Sequence, residues 1–258
     1  MKLAIVIPAY NEEKRIAKTL KSYLEFFNTL AKKKKVQYEL LVAINNTKDA
    51  TLSIVKSFKK KHKHLSYLDL EKGGKGYAVI EGFKYFIARK KYDLIGFVDA
   101  DLATKPEDFF SLVSNMQGYD GSIASRYVPG AVVKPKQSWQ RIFVSRIFNL
   151  YLRTLLFLPY RDTQCGAKVF KTNALKAILP KVSMSQWAFD VELLYLLKKQ
   201  GFHIKELPTV WSDQAYSKIN FVKAGPKMAL SIMRLRLLYS PFKSFIRVYN
   251  ALLQWLQS

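Results

Sequence analysis

Residues 94–108 read LIGFVDADLATKPED, and this stretch indicates the fold. The apolar run 94–98 predicts a buried β-strand, and Pro106 suits the first turn of a helix over 106–116. The sequence Asp99-Ala100-Asp101 stands directly after the strand. In α/β proteins, ligands bind where the carboxyl ends of the strands meet the following turns. The functional site is therefore expected in the turns that follow strands.

The same alternation of strand and helix extends in both directions from this stretch. The predicted strands are 3–7, 39–44, 65–68, 94–98, 122–124 and 166–170, with an extended segment at 203–210. The predicted helices are 12–31, 49–61, 76–89, 106–116 and 189–199. Short β-branched runs between amphipathic segments predict an α/β fold with a mostly parallel central sheet flanked by helices.

The composition is strongly basic. The chain has 258 residues, and its 43 Lys and Arg against 19 Asp and Glu give a net charge of +24. With 49% hydrophobic residues it has enough apolar material for a core, which excludes a disordered polycation. The charge therefore indicates an anionic partner, which is nucleic acid, a lipid headgroup layer or a phosphorylated substrate.

Cysteine content and hydropathy indicate the compartment. Cys165 is the one cysteine, so an internal disulfide is excluded and a reducing compartment is favoured. No apolar stretch reaches the roughly 18 uncharged residues of a membrane-spanning helix, and 3–7 is too short for a signal peptide. We therefore expect a cytoplasmic protein without a transmembrane helix.

Two stretches contain no acidic residue, 121–161 and 214–258. In both, aromatic and aliphatic residues recur every three or four positions, with bases on the other side. Basic amphipathic helices of this kind suit a membrane interface, and the alternative is that they pack on the core of the domain. No linker separates the halves. We interpret residues 1–220 as one catalytic domain and 221–258 as basic amphipathic helices that contact an anionic membrane surface.

Several turns contain residues that can carry chemistry. Asp99 and Asp101 can converge on Mg²⁺ or Mn²⁺, whose remaining ligands are normally phosphate oxygens and water. Residues 45–51 follow a strand and suit either a turn with a helix cap or a ligand site. The glycine turn at 73–76 lacks the spacing of a P-loop, although Lys75 could meet a diphosphate. Asp162 and Asp190 are carboxylates in a part of the chain with few acids.

Eight motifs, in this order, resemble inverting family 2 glycosyltransferases of the GT-A fold. The closest resemblance is to the enzymes that make dolichyl- or polyprenyl-phosphate sugars, and within them to the dolichyl-phosphate β-glucosyltransferase branch. It covers residues 3 to 220. The motifs are IVIPAYNEE (5–13), NNTKDAT (45–51), GGKGYAVIEGF (73–83), FVDADLATKPED (97–108), ASRY (124–127), DTQCGAKVF (162–170), WAFDVELL (187–194) and YSKI (216–219).

The resemblance implies a role for particular residues. It implies that the nucleotide sugar is bound by Pro8, Tyr10, Glu12, Asn45, Asn46, Asp49, Lys75, Asp99 and Ala100. It implies that the metal on the diphosphate is bound by Asp99 and Asp101. It implies that the acceptor and donor phosphates are bound by Arg126, Arg141, Ser145 and Lys218. Asp162 or Asp190 would be the catalytic carboxylate nearest the reacting centre. Family members often have Asp-Asp-Gly-Ser where this chain has Ile-Asn-Asn-Thr at 44–47.

The implied reaction is transfer of a hexose, best matched by glucose from UDP-glucose, to dolichyl or polyprenyl phosphate at the cytoplasmic face of a membrane. A lipid phosphate is already ionised at neutral pH, so this reaction needs positioning and charge neutralisation more than a strong base. The alternatives are a family 2 transferase for cell-surface polysaccharide or lipopolysaccharide, a sugar nucleotidyltransferase and a basic nucleic-acid-binding protein. Since the bases concentrate on apolar helices, no nucleic acid partner is expected.

Overall fold

The computed structural model describes residues 1–134, 139–183, 188–212, 221–246 and 249. Its centre is a seven-stranded sheet with the order β3-β2-β1-β4-β7-β5-β8, and β6 and β9 form a separate two-stranded sheet. The strands are β1 Lys2–Ala9, β2 Gln37–Asn45, β3 Leu65–Leu70, β4 Leu94–Val98, β5 Gly121–Ser125, β6 Val132–Lys134, β7 Ala167–Lys171, β8 Ile204–Pro208 and β9 Val210–Ser212.

Helices cover both faces of the large sheet. They are α1 Ile16–Lys32, α2 Thr51–Lys61, α3 Lys75–Ala88, α4 Pro106–Ser114, α5 Trp139–Leu156, α6 Thr172–Ile178, α7 Phe189–Lys199 and α8 Phe221–Leu238. One core lies between the sheet and α1, α2 and α4. The other lies between the sheet and α3, α5, α6, α7 and α8. The strands in the middle are thus buried on both sides, as their continuous apolar runs predict.

The direction of the strands fixes where the site can form. Strands β3, β2, β1 and β4 run parallel, so their carboxyl ends share one edge of the sheet. Strand β7 is antiparallel to both of its neighbours, β4 and β5, whereas β5 and β8 are parallel. The amino end of β7 therefore meets the carboxyl ends of β4 and β5. This confirms the mostly parallel sheet predicted from the sequence.

Some predicted boundaries are wrong. Helix α1 begins at Ile16, not at residue 12, because residues 11–15 form a loop bonded to the turn after β2. Helix α2 begins at Thr51 after the same turn. The short elements α6, β6 and β9 were not predicted. Only part of the amphipathic helices predicted for 221–258 can be compared, since 247–248 and 250–258 lie outside the described residues.

Helix α8 contacts the rest of the described fold through one side. Ile232 and Leu235 are buried in the same core as α7, and the Tyr151 hydroxyl of α5 donates a hydrogen bond to the Ala229 carbonyl at 3.2 Å. Met233 on the same helix remains exposed. In the described part of the chain, we find no helix with the length and apolarity that crossing a membrane requires.

Candidate active site

Asp99 and Asp101 lie at the carboxyl edge of the sheet, directly after β4. The Asp99 amide donates a hydrogen bond to the carbonyl of Gly166, which precedes β7, at 3.0 Å. A Cβ on Gly166 would lie 1.8 Å from Oδ2 of Asp99, so only glycine allows this approach. Asp101 turns back to accept a hydrogen bond from the Ala103 amide at 2.9 Å. The antiparallel entry of β7 therefore helps to place the Asp99 carboxylate.

Helix α1 anchors the loop that carries these carboxylates. The Thr19 hydroxyl donates to the carbonyl of Ala100 at 2.7 Å, and the Tyr23 hydroxyl donates to the carbonyl of Thr104 at 2.9 Å. Thr19, Tyr23 and Ala100 are buried, so both bonds are shielded from water. The loop after β4 is consequently held from its inner side.

Four charged side chains alternate in sign across this edge. The Lys75 Nζ atom at the start of α3 lies 2.7 Å from Asp99 Oδ1 and 3.6 Å from Asp190 Oδ2 at the start of α7. The other oxygen of Asp190, Oδ1, accepts a hydrogen bond at 2.6 Å from Nζ of Lys168, which lies in β7. Lys168 also donates to the Cys165 carbonyl at 2.6 Å. We call these four side chains the charge chain, and it joins four elements at one point.

The contacts of the charge chain favour the ionised forms of Asp190 and Lys75. Burial opposes the charge of Asp190, but Lys168 and Lys75 outweigh it and hold the pKa of that carboxyl below its usual value. Burial likewise opposes the charge of Lys75, but Asp190 and Asp99 raise its pKa above the ordinary value. Because Asp190 remains a carboxylate paired with two lysines, it is a weak proton acceptor near neutral pH.

Asp101 lies in a different electrostatic setting. Burial and the negative charge of Asp99 raise the pKa of Asp101 to about 6. Two oxygen donors crowded in this way are the ligands that Mg²⁺ or Mn²⁺ prefers, and a divalent cation would relieve their repulsion. Among the described residues no group of three His, Cys, Asp or Glu could hold a metal. The pair therefore fits a cation that takes its other ligands from a phosphate and water.

Two loops next to this edge are bonded to each other. The amides of Asn11 and Glu12 donate to the hydroxyls of Thr47 and Thr51 at 2.9 and 2.8 Å. The Lys48 amide donates to Asn11 Oδ1 at 2.9 Å. Asn11 and Asn46 both have positive φ, which asparagine tolerates better than most residues. The turn after β1 and the turn after β2 thus form one unit.

A cleft of about 380 Å³ opens in this unit, and Glu12 and Asp49 are among its lining residues. Burial opposes the charge of Asp49, but hydrogen bonds from Thr51 and from the Glu13 amide lower its pKa. Tyr10 is half exposed, while Pro8 and Asn45 are buried. The Asn45 Oδ1 atom has no hydrogen-bond partner among the described residues.

Arg126 and Asp162 form a buried pair after β5. The Nε and Nη2 atoms of Arg126 donate to the two oxygens of Asp162 at 2.7 and 3.0 Å, and the Arg126 amide donates to Oδ2 at 3.0 Å. Burial opposes the charge of Asp162, which is fully buried, but Arg126 lowers its pKa. Asp162 therefore holds the guanidinium in place, and Nη1 takes no part in the pair.

The structure brings some of the predicted residues together and not others. Lys75, Asp99 and Asp190 are in direct contact, whereas Glu12 and Asp49 line the separate cleft. Arg141 and Ser145 belong to α5, and Lys218 lies outside the described residues. The roles inferred for all these residues remain predictions.

Sequence analysis missed Lys168, which is fully buried and holds Asp190 at one end of the charge chain. The available signal was a lysine inside the apolar run 166–170, because a buried lysine needs a charged partner. Cys165 in the same motif is buried, and burial together with the charge of Asp162 raises the pKa of its thiol to about 12. At neutral pH it is therefore a thiol without nucleophilic character.

Known proteins are similar to this chain both in sequence and in fold. Residues 4–179 match the family model described as Glycosyl transferase family 2. The chain is 33% identical over 248 residues to the dolichyl-phosphate beta-glucosyltransferase of Dictyostelium discoideum, which covers 92% of this chain and 74% of the relative. For the enzyme of the same name from Saccharomyces cerevisiae the identity is 30%, covering 92% and 75% of the two chains.

Solved structures show the same fold. The glucosyl-3-phosphoglycerate synthase of Mycobacterium tuberculosis, in complex with Mn²⁺, uridine diphosphate and glucosyl-3-phosphoglycerate, superposes with a TM-score of 0.63 at 17% identity, over 92% of this chain and 78% of the other. The mannosyl-3-phosphoglycerate synthase of Rubrobacter xylanophilus gives a TM-score of 0.64 at 15% identity, over 92% and 74%. The match of sequence over more than half its length, together with this shared architecture, means that the chain belongs to glycosyltransferase family 2 and has the GT-A fold.

Proposed function

We propose that this protein transfers glucose from UDP-glucose to dolichyl or another polyprenyl phosphate at the cytoplasmic face of a membrane. The observation that carries the proposal is the charge chain beside the Asp99 and Asp101 carboxylates, at the edge where an α/β sheet binds its ligand. The names of the relatives, which match over 92% of this chain, support the choice of glucose and of a dolichyl phosphate.

The donor is proposed to bind across the two bonded loops and the charge chain. The cleft with Glu12 and Asp49, together with Pro8, Tyr10, Asn45 and Asn46, would take the base and ribose. Lys75, Asp99 and Ala100 would take the diphosphate, and the complex of a neighbour with uridine diphosphate and Mn²⁺ supports this choice of donor. A Mg²⁺ or Mn²⁺ ion held by Asp99 and Asp101 would neutralise the charge of the leaving diphosphate.

The acceptor phosphate is proposed to approach from the side of Arg126. Its nucleophilic oxygen is already ionised, so the reaction gains most from fixed positive charge and correct placement. Arg126, held by Asp162, would offer Nη1 to this phosphate, and Arg141, Ser145 and Lys218 would complete the group. The catalytic carboxylates Asp162 and Asp190 then act by fixing cations, which suits their low pKa values.

An apolar surface on α5 and α8 supports contact with the membrane. Ile147 and Leu150 on α5 and Met233 on α8 are exposed, and so are Phe242 and Phe245 after α8. Exposed aromatic and aliphatic side chains among bases are typical of helices that lie in an anionic interface. We call these five residues the apolar surface. Its contact with lipid would bring the acceptor phosphate to the domain while the polyprenyl tail stays in the bilayer.

A donor and acceptor screen tests the proposal. Purified protein is incubated with UDP-glucose, GDP-mannose or UDP-N-acetylglucosamine, vesicles containing polyprenyl phosphate, and Mg²⁺ or Mn²⁺, and sugar in the lipid extract is measured. We expect metal-dependent transfer from UDP-glucose. Transfer from another donor would contradict the proposal that glucose is the transferred sugar. Transfer only to a polysaccharide or lipopolysaccharide acceptor would favour a family 2 transferase that acts on cell-surface polysaccharide or lipopolysaccharide.

A further inference from the structure

Glu192 is a buried carboxyl group that the proposed reaction does not use. It lies in the first turn of α7, two residues after Asp190, and is fully buried. Its Oε1 atom accepts hydrogen bonds from the Ser183 amide at 2.7 Å and from the Tyr239 hydroxyl at 3.0 Å. Its Oε2 atom has no partner among the described residues. A buried polar group of this kind calls for an explanation beyond the stability of the fold.

The two donors to Glu192 come from different parts of the molecule. Ser183 lies two residues after the 3₁₀ turn Leu179–Lys181. Tyr239 stands at the end of α8 and makes three more contacts there. Its hydroxyl also bonds the Lys181 carbonyl, its carbonyl accepts a hydrogen bond from Lys199 Nζ at 2.8 Å, and its ring lies 5.8 Å from that of Tyr195. Tyr239 is therefore fixed to both ends of α7.

Helix α8 connects this point with the apolar surface. Tyr151 of α5 bonds the Ala229 carbonyl of α8, and the Arg236 guanidinium of α8 lies over the ring of Phe157 at 5.9 Å. Helix α8 is thus joined to the carboxyl-terminal part of α5, and Met233 of the apolar surface lies on α8 between the two contacts. A displacement of this helix pair on contact with lipid would move Tyr239, since Tyr239 directly follows α8 in the chain.

Glu192 is connected to the charge chain through Asp190. Glu192 and Asp190 share the first turn of α7, so the hydrogen bonds that hold Glu192 also restrain the backbone that carries Asp190. Asp190 contacts Lys168 and Lys75, and Lys75 contacts Asp99. Hydrogen bonds and packed elements of this kind can transmit a change in one region to another if the region has two arrangements.

We propose that Glu192 and Tyr239 are positioning residues that couple the seating of α8 on a membrane to the placement of Asp190. This inference rests on the membrane contact within the proposed function. It means that the lipid surface does more than supply the acceptor, because contact with lipid would set the geometry of the charge chain. By thermodynamic linkage, a ligand that orders the charge chain would in turn strengthen binding to vesicles.

The first test needs no sugar transfer. Hydrogen exchange of the Ser183 amide and of the first turn of α7 is measured with and without vesicles of phosphatidylcholine and phosphatidylglycerol in a ratio of about three to one. In the wild type, we expect vesicles to slow this exchange about 3-fold or more. Tyr239→Phe keeps the ring against Tyr195 but loses the hydroxyl, and it should bind vesicles without that slowing.

Two further variants separate coupling from packing. Tyr195→Phe is the matched control, because the Tyr195 hydroxyl makes no hydrogen bond among the described residues, and it should respond to vesicles as the wild type does. Glu192→Gln keeps an acceptor oxygen for both donors and should also retain the response. The coupling is wrong if the wild type does not bind the vesicles, if it binds without slower exchange, or if Tyr239→Phe responds like the wild type. Loss of the response in Tyr195→Phe would likewise show a general packing effect.

A kinetic measurement distinguishes this inference from the proposed function. The kcat on polyprenyl phosphate in vesicles is divided by the kcat on a short-chain, water-soluble acceptor phosphate. Tyr239→Phe should lower this ratio about 5-fold or more and leave the KM for UDP-glucose within about 2-fold. Equal losses on both acceptors would overturn the coupling. If the wild type transfers no sugar to either acceptor, the proposed function fails, and the exchange experiment still decides the coupling.

Discussion

The two edges of the large sheet differ in how their charged side chains are buried and paired. At the carboxyl edge, Asp99, Lys75, Asp190 and Lys168 alternate in direct contact, and Lys168 is fully buried. At the amino edge, helices α1, α2 and α3 end in or before runs of bases whose side chains are mostly exposed. These runs are 32–35, 59–61 and 89–91. These three runs place ten positive charges at the amino edge, whereas the two positive and two negative charges of the charge chain cancel.

This difference shows why overall charge is a poor guide to chemistry. Bases at helix carboxyl ends interact favourably with the helix dipole, which accounts for the lysine runs without a ligand. Each such exposed charge contributes less than about 1 kcal/mol to the free energy of unfolding. A buried ion that loses its partner costs several times more, so the paired edge tolerates little change.

The largest effect is expected at the carboxylate pair. Asp101→Asn should lower turnover with Mg²⁺ or Mn²⁺ by about 100-fold or more, because a ligand of the proposed metal is lost, while the melting temperature stays nearly constant. Asp93→Asn at the amino edge is the matched control and should keep turnover within about 2-fold. Activity of Asp101→Asn near that of the wild type would refute the metal site.

The next largest effect is expected for the buried lysine. Lys168→Met removes one of the two cations that hold Asp190 and should lower the free energy of unfolding by about 3 kcal/mol. Lys33→Met in the exposed run 32–35 should change it by less than about 0.5 kcal/mol. Urea unfolding of both variants measures the difference. If the two variants were equally stable, the contrast between paired and unpaired charge would not hold.

A pH-dependent effect is expected for Asp162. Its folded pKa lies below the unfolded value of about 3.9, so the group adds stability that is complete well above that value and is lost as the pH falls toward the folded pKa. Asp162→Asn should therefore cost about 2 kcal/mol at pH 7 and clearly less near pH 3. Urea unfolding at the two pH values measures this, and a cost independent of pH would show that the carboxylate charge contributes nothing.

The smallest effect is expected when the lysine run itself is changed. Replacing Lys33, Lys34 and Lys35 by Gln should leave turnover and the KM for UDP-glucose within about 2-fold, since these exposed side chains lie at the edge remote from the charge chain. Steady-state kinetics at low and moderate salt would check this. A large loss of turnover would show that the amino edge takes part in the reaction after all.

The parallel half of the fold was predictable because its periodicities are long and regular. Strands β1 to β4 and the helices between them follow apolar runs that burial on both faces requires. Short elements such as β6, β9 and α6 carry too few residues for a periodic signal. The direction of β7 was also not predictable, because the pairing of a strand depends on partners that are distant in the chain.

The site was predictable as a set of residues and not as an arrangement. Asp99, Lys75 and Asp190 were each identified from a motif, yet their mutual contacts result from the meeting of β4, α3 and α7. Lys168 was missed because a single lysine in an apolar run has no partner in the local sequence. The buried pair of Asp162 with Arg126 likewise depends on tertiary contacts, so sequence could not separate a catalytic carboxylate from one that fixes a cation.

Strand β7 has a consequence for how the protein is made. It lies between β4 and β5 in the sheet, although it follows both in the chain. During synthesis, β4 and β5 therefore leave the ribosome with unpaired edges that only Ala167–Lys171 can join. Gly166 and Lys168 arrive with the same segment. A nascent chain shorter than this should accordingly depend on chaperones to protect its open strands, and the charge chain should form only late in translation.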